Sequence, residues 1–351
     1  MLTMTAVSAF DLPAGIKLKY LAEGGANVVY RIISPKRVTT TTDKTTPSTG
    51  TENLASAGLL QGKLLRLRKD VQYGIPYQET ASDFDRSIRP LFDPEELVDQ
   101  VLVRLPLGLT QRCNEQLRAH ERLGYRPLNR HGVYLSTTEQ YGLLVTDMSN
   151  SSDPNTTVAE FKPKWLIQSP SAPAGAKRCR TCALREMKNE DACRKGLHEV
   201  RSFCPLDLVS NRLDDVMRAA RFFRGRADHA RVARAIYRHP TILKLRHLQQ
   251  EQNDVGLKGP PENSSRRSLA MTFRDCTVFV KLPPDDMAPV EVRLGDLDIK
   301  TAAKGKARYW LSIEQRLINE GWYAGEAPGQ VHSECALHPG RCHDELVNGK
   351  R

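Results

Sequence analysis

Two short charged segments hold the residues best able to do chemistry. One is Val158-Ala159-Glu160-Phe161-Lys162-Pro163-Lys164-Trp165; the other is Val292-Arg293-Leu294-Gly295-Asp296-Leu297-Asp298-Ile299-Lys300. Side chains of a strand alternate between faces. Read as strands, the first segment puts Glu160, Lys162 and Lys164 on one face, and the second does the same for Asp296, Asp298 and Lys300. Neighbouring lysines repel unless an anion lies between them, and neighbouring aspartates repel unless a cation does. A phosphate-rich substrate with Mg²⁺ answers both needs, which predicts phosphoryl transfer. Asp275 precedes the apolar run Val278-Phe279-Val280 on an expected strand from Met271 to Leu282. A carboxylate entering a buried strand is costly unless it is paired or used. Asp296 and Asp298, with Lys300 and Lys304 following, offer carboxylates for Mg²⁺ or a general base and cations for phosphates. Plainer readings exist: lysines beside Pro163 also guard a sheet edge, and Asp275 could cap a strand.

Two upstream motifs suit a nucleotide. In Glu23-Gly24-Gly25-Ala26-Asn27, small residues between two strands let backbone N–H groups approach a phosphate, although an ordinary hairpin turn uses Gly-Gly as well. Gly62-Lys63-Leu64-Leu65-Arg66 follows, and Lys63 or Arg66 could pair nucleotide phosphates, or simply continue a solvated charged strand. Cys179-x-x-Cys182, Cys193 and His198 are zinc-ligand types with a short second gap, and Cys204 could replace one of them. His332, Cys335, His338, Cys342 and His343 make a second, looser cluster of ligand types.

These residues need a scaffold. The chain has 351 residues, enough for one large or two moderate domains, and a net charge of +11. The basic surplus attracts polyanions. Aromatic residues are 6% of the chain, with no basic-aromatic interleaving of the kind that stacks bases, so no obligatory nucleic acid is expected. No apolar run spans a bilayer, so no membrane partner is expected. The eight cysteines, without a basic leader before an apolar stretch, suit an intracellular protein with reduced thiols.

Residues 16–33 read as a hairpin, 34–58 as a disordered insertion rich in Thr, Ser and Pro, and 59–68 as a third strand. A helix start is expected at Asp93-Pro94-Glu95-Glu96, a helix over 112–123, a buried strand over 141–147, and mostly helix over 183–250. A last helix is expected over 301–320 before a polar, poorly packed tail. The predicted class is α+β with two lobes. An N-lobe over 1–147 has an antiparallel sheet plus a helix and binds nucleotide; a larger mixed C-lobe over 148–324 binds substrate and carries catalysis; 325–351 is tail.

In this order, the motifs resemble the inositol-pentakisphosphate 2-kinases of fungi. The family's Glu-x-Lys-Pro-Lys signature stands as Glu160 to Lys164. Supporting matches are Glu23 to Asn27, Gly62 to Arg66, Arg126-Pro127-x-x-Arg130, Cys179-Arg180-x-Cys182, Cys204-Pro205-Leu206-Asp207-Leu208-x-Ser210, Asp275-Cys276 and Asp296-Leu297-x-Ile299-Lys300. The resemblance implies an inositol-phosphate-kinase-like fold. A monomer is expected, and the resemblance implies that it uses ATP and Mg²⁺ to phosphorylate the 2-hydroxyl of inositol 1,3,4,5,6-pentakisphosphate, giving the hexakisphosphate (phytate). It implies Gly24, Gly25, Asn27, Lys63, Arg66 and Asp147 at the nucleotide, with Arg66 on its phosphates and Asp147 in the hinge. Arg126, Lys162, Lys164, Lys188, Lys300 and Lys304 would hold substrate phosphates, Asp275 would be the base and Asp296 the Mg²⁺ carboxylate. It places the protein in the nucleus ahead of the cytoplasm and leaves zinc open. Relatives carry Met-His-Gln where Ala183-Leu184-Arg185 stands, with Arg185 as the candidate replacement for the histidine. The alternatives are a kinase of this fold with another inositol polyphosphate, or a non-catalytic polyanion-binding protein.

Overall fold

The structure, a computed structural model, describes residues 8–33, 58–72, 74–149, 155–285, 287–300, 306–325, 334–339 and 341. The expected insertion at 34–58 falls outside the described residues except for Gly58, and Lys304 lies outside them entirely. The chain divides into two compact units, Met1–Ser152 and Asp153–Arg351. Both sheets and helices are present, as an α+β class requires.

The first unit is built on a six-stranded sheet. Its strands are β1 (Phe10–Asp11), β2 (Lys17–Glu23), β3 (Asn27–Ile33), β4 (Lys63–Arg68), β5 (Gln100–Arg104) and β6 (Tyr141–Thr146), ordered β1-β5-β6-β4-β3-β2. All neighbours are antiparallel except β1 with β5, which is parallel. Period-two alternation sends Val103, Leu144, Leu65 and Leu67 to one face, where they pack with Leu109, Cys113 and Leu117 of helix α2 (Leu109–Arg122). The adjacent residues Leu102 and Leu143 pack instead with Tyr77 and Ala81 of helix α1 (Tyr77–Ser87). The sheet is therefore covered by a helix on each face, one more than expected. The missed helix was legible: its buried Tyr77, Thr80, Ala81 and Phe84 follow helical spacing. At Gly142 a Cβ would come 2.9 Å from the Leu105 side chain and 3.0 Å from that of Leu65, so a larger residue there would make these leucines shift. The expected helix start at Asp93 is a single 3₁₀ turn, Pro94–Glu96, closed by a capping box.

The second unit has a four-stranded antiparallel sheet, ordered β10-β9-β7-β8, from β7 (Thr157–Phe161), β8 (Arg224–Gly225), β9 (Thr277–Leu282) and β10 (Glu291–Gly295). Its helices are α3 (Arg180–Cys193), α4 (Leu213–Ala220), α5 (His229–Ile236), α6 (Pro240–Glu251), α7 (Ser265–Phe273) and α8 (Lys306–Asn319). Ala183 and Met187 of α3 pack with Ile313 and Leu317 of α8 over Trp322 and Tyr323. Buried Glu314 fastens this pair, accepting from Arg180 at 2.7 Å, Ser169 at 2.6 Å and Tyr323 at 2.7 Å. The expected strand over 271–282 is corrected in its first half. Met271 to Phe273 ends α7, and Asp275 lies in the turn before β9, its N–H donating to the Thr272 carbonyl.

Candidate active site

The registers of three adjacent strands converge at one sheet end. Phe161, the last residue of β7, faces Val278 of β9, and Gly295, the last of β10, faces Thr277, the first of β9. Lys162, Asp275 and Asp296 therefore emerge together. Lys162 Nζ donates to Asp296 Oδ2 at 2.8 Å and to the Asp275 carbonyl at 2.7 Å, and lies 3.5 Å from Asp275 Oδ1. Lys164 Nζ stands 3.1 Å from Asp275 Oδ1 and Lys300 Nζ 3.3 Å from Oδ2. One half-exposed carboxylate thus faces three ammonium groups. Burial alone would raise the Asp275 carboxyl, but Lys300, Lys164 and Lys162 outweigh it and pull it down to about 2. Burial would lower the Lys162 ammonium, and its hydrogen bond to Asp296 outweighs that, so it titrates above the ordinary lysine value.

The expectation of two strand faces, each answered by a foreign ion, is corrected: the lysines and aspartates answer one another. Strand alternation stops at Phe161 and Gly295. Lys164 has φ 54° and Asp296 φ 58°, both in the left-handed region. Glu160, still on β7, turns away to Arg224 at 3.9 Å, and Asp298 gives its backbone carbonyl to Thr272 Oγ1 at 3.4 Å. A β-carbon in left-handed backbone is strained. Strain of this kind gathers at functional sites, and here it aims both charged side chains at the cluster. Lys164→Gly is therefore expected to be more stable than Lys164→Ala by about 1 kcal/mol, although both lack the ammonium. Urea midpoints of the two variants check this; equal midpoints would mean that the bend carries no strain.

Gln249 of α6 holds that bend. Fully buried, it donates to the Lys164 carbonyl at 2.8 Å and the Phe273 carbonyl at 3.0 Å, and accepts from the Leu166 N–H at 2.8 Å. It ties the lysine loop to the turn carrying Asp275. Trp165, next in the loop, takes the guanidiniums of Arg180 at 4.6 Å and Arg274 at 4.4 Å against its ring. Sequence reading missed Gln249, yet position 249 continues the apolar spacing of Ile242 and Leu245, so an amide there needs buried partners. Gln249→Leu strands these backbone groups. It is expected to cost about 1–3 kcal/mol for each one left unsatisfied, read by urea unfolding, and to slow turnover by misplacing Lys164. Unchanged stability would contradict this role.

The expected nucleotide residues lie in the first unit. The Gly24-Gly25 turn closes through the Gly24 N–H to the Asn27 carbonyl at 2.9 Å, and Asn27 Oδ1 accepts from the Tyr77 hydroxyl at 3.0 Å. Lys63 stands 3.7 Å from Asp99, and Arg66 reaches Gln100 at 3.4 Å with its guanidinium 5.5 Å from the Tyr77 ring centre. The Asp147 N–H donates to the Gly62 carbonyl at 2.8 Å. Arg126, expected on a substrate phosphate, is wholly buried. Its Nε donates to Glu23 Oε1 at 2.7 Å, Nη2 to Glu23 Oε2 at 2.9 Å and to the Val133 carbonyl, and Nη1 to Glu121. A phosphate contact by Arg126 would have to break this set. Lys69, which sequence reading passed over, completes it: fully buried, it pairs with Glu23 and donates to the Gly24 carbonyl at 2.8 Å.

A family model described as inositol-pentakisphosphate 2-kinase matches residues 20–253 and 226–316. The chain is also similar to the inositol-pentakisphosphate 2-kinase of Yarrowia lipolytica (strain CLIB 122 / E 150), at 30% identity over 277 residues, 76% of this chain and 87% of that protein. The chain belongs to the inositol-pentakisphosphate 2-kinase family. The residues matched to this kinase family include Lys162, Lys164, Asp275, Asp296 and Lys300.

Other expected site residues have different surroundings. Lys188 is exposed on α3. Arg185, the candidate replacement for the family histidine, donates to the carbonyls of Ser202 at 2.7 Å and Phe203 at 2.9 Å and to Cys182 Sγ at 3.5 Å. The expected zinc set is corrected. Cys179 and Cys182 converge with Cys204 and Cys335, whereas Cys193 is exposed at the end of α3 and His198 lies in the exposed stretch after it. His332, Cys342 and His343 lie outside the described residues. The expected loose tail is packed where it is described: Cys335 is fully buried, and Arg341 grips buried Asp207 at 2.7 and 2.6 Å.

Proposed function

We propose that this chain transfers the γ-phosphoryl group of ATP to the 2-hydroxyl of inositol 1,3,4,5,6-pentakisphosphate, with Asp275 as the general base. The observation that carries this reading is the Asp275 carboxylate set against the ammoniums of Lys162, Lys164 and Lys300. Those lysines outnumber Asp275 and Asp296, so the cluster keeps a positive surplus suited to a substrate dense with phosphate. Phosphates that draw the lysines away leave Asp275 with fewer cations, and its proton affinity rises when a base is needed. Asp275 then accepts the hydroxyl proton as the oxygen bonds to the γ-phosphorus and the bond from that phosphorus to the bridging oxygen breaks.

Mg²⁺ fits this donor set. Asp296 and Asp275 already bring carboxylate oxygens to within 2.8 and 3.5 Å of one cation, Lys162 Nζ, and Mg²⁺ takes one or two carboxylates beside phosphate oxygens. When bound, the ion supplies charge neutralisation across the transferring phosphates. In the first unit, a Cβ on Gly24 would meet nothing within 4 Å, so the turn leaves space beside it for a nucleotide phosphate. Lys63 and Arg66 supply cations, and Asp147 a hinge toward adenine. Lys188 and Lys304 are assigned further substrate phosphates. The test is ADP release from Mg-ATP with the pentakisphosphate. Release that requires both is expected, and its absence with folded protein would overturn the proposal.

A further inference from the structure

We propose that the contact between Trp165 and Arg274 is a positioning device, which keeps Asp275 in place while substrate phosphates draw Lys162, Lys164 and Lys300 away from it. This deepens the reading of Asp275 as the base and rests on it. The dipeptides Lys164-Trp165 and Arg274-Asp275 touch twice. In the outer contact Lys164 Nζ stands 3.1 Å from Asp275 Oδ1, between side chains that are 40% and 44% exposed. In the inner contact the Arg274 guanidinium lies 4.4 Å from the centre of the Trp165 ring, between residues that are 2% and 6% exposed. Phosphates compete for the outer contact, which is an ion pair open to solvent. Burial shuts them off from the inner one, so it survives when the outer one opens.

The hydrogen bonds of Arg274 go to uncharged acceptors. Nη1 donates to the Ala270 carbonyl at 2.9 Å, and Nη2 to the Gln249 carbonyl at 3.0 Å and to Asn253 Oδ1 at 3.1 Å. Burial, with Arg180 close by, outweighs Asp254 and brings the guanidinium down to about 9. It is still charged at neutral pH, and the negative face of the Trp165 ring steadies that charge without adding a carboxylate beside Asp275. One guanidinium thereby ties α7, which leads into Asp275, to α6 and to the lysine loop. A lysine could set a charge against the ring but could not fork to all three acceptors.

Trp165 is itself held from both sides. The Lys164 carbonyl before it and the Leu166 N–H after it both bond to Gln249 at 2.8 Å. Arg180, 4.6 Å from the ring centre, donates to Glu314 of α8 at 2.7 Å. A tryptophan that only filled space would need no guanidinium against its ring, and this one has two. A general base works only within hydrogen-bond reach of its proton, so the residue before Asp275 needs an anchor that the substrate does not disturb.

The test is a double-mutant cycle on kcat, read with labelled ATP, that combines Trp165→Leu with Asp275→Asn. Trp165→Leu alone should lower kcat by about 10–10²-fold. Its Kd for the pentakisphosphate should stay within about threefold of the native value. Trp165→Phe, which keeps an aromatic face for the guanidiniums, should recover most of the lost kcat. In the Asp275→Asn background Trp165→Leu should cost nothing further, because a base already removed cannot be misplaced. A packing role alone would lower kcat by the same factor in both backgrounds. Should Trp165→Leu fail to fold, Arg274→Lys takes its place in the cycle, since it keeps the charge and loses the fork. A loss that multiplies with that of Asp275→Asn, or that falls on substrate affinity in place of kcat, would overturn the proposal and leave Asp275 as the base. Full turnover by Asp275→Asn would overturn both.

Discussion

Asp275→Asn lowers kcat by about 10²–10⁴-fold, the usual contribution of a positioned general base. The substitution keeps the shape of the side chain and removes its charge and basicity. It also frees Lys162, Lys164 and Lys300 from the carboxylate they now share. Substrate phosphates then no longer compete with Asp275 for these ammoniums, so the pentakisphosphate should bind as tightly as before or tighter. A fall in kcat with equal or better affinity separates a lost base from a lost binding group. The pH behaviour has a definite sign. The folded carboxyl sits at about 2, below its ordinary unfolded value, so its stabilisation is present above that ordinary value and is lost as pH falls toward 2. Acid should therefore erode the native chain's advantage over Asp275→Asn, and a carboxyl NMR titration of the ligand-free chain should place Asp275 below the ordinary aspartates. A midpoint at or above their range would remove the three-lysine clamp.

Glu23→Gln destabilises the first unit by about 3–5 kcal/mol, measured by urea unfolding. The side chains of Glu23, Lys69 and Arg126 are fully buried, and Glu121 brings the group to neutrality. Burial alone would raise the Glu23 carboxyl, but hydrogen bonds from Arg126 and Lys69 outweigh it and hold it below the ordinary value. Removing this one charge leaves an uncompensated cation away from water, which costs far more than the intact group contributes. The exposed Arg86–Asp83 pair provides the contrast, since Arg86→Ala should change stability by less than about 1 kcal/mol. Because Lys69 also holds the Gly24 carbonyl, Glu23→Gln should weaken ATP use by loosening the Gly24-Gly25 turn. A stability change as small as that of Arg86→Ala would show that the network is not closed.

The parts of the fold legible in the sequence were those governed by local pattern. The hairpin of β2 and β3, the strand β4 and the strand β6 were plain from alternation and from the Gly-Gly turn. The helix α1 and the strand β5 carried the same kind of signal and were passed over. Long-range charge pairing was harder to read. Lys162, Lys164, Asp275, Asp296 and Lys300 were recognisable one by one, but strand periodicity set the lysines apart from the aspartates. Two left-handed residues break that periodicity just where the segments leave the sheet, and no local propensity at Lys164 announces such a bend. Arg126 shows the same limit: its partner Glu23 is 103 residues away, and only the tertiary fold shows that its charge is already matched. The cysteines were noticed in two separate groups, and only the packing of the 334–341 segment joins Cys335 to the other three.

The central claim is that Asp275, held by three lysines, is the base for phosphoryl transfer to an inositol pentakisphosphate. Its most direct test is to identify the product from Mg-ATP and inositol 1,3,4,5,6-pentakisphosphate with the native chain and with folded Asp275→Asn, measuring substrate binding in parallel. Hexakisphosphate from the native chain, with only trace product from a variant that still binds substrate, is the predicted result. Equal product from the two would contradict Asp275 as the base, and a folded native chain that binds the pentakisphosphate without phosphorylating it would contradict the activity itself.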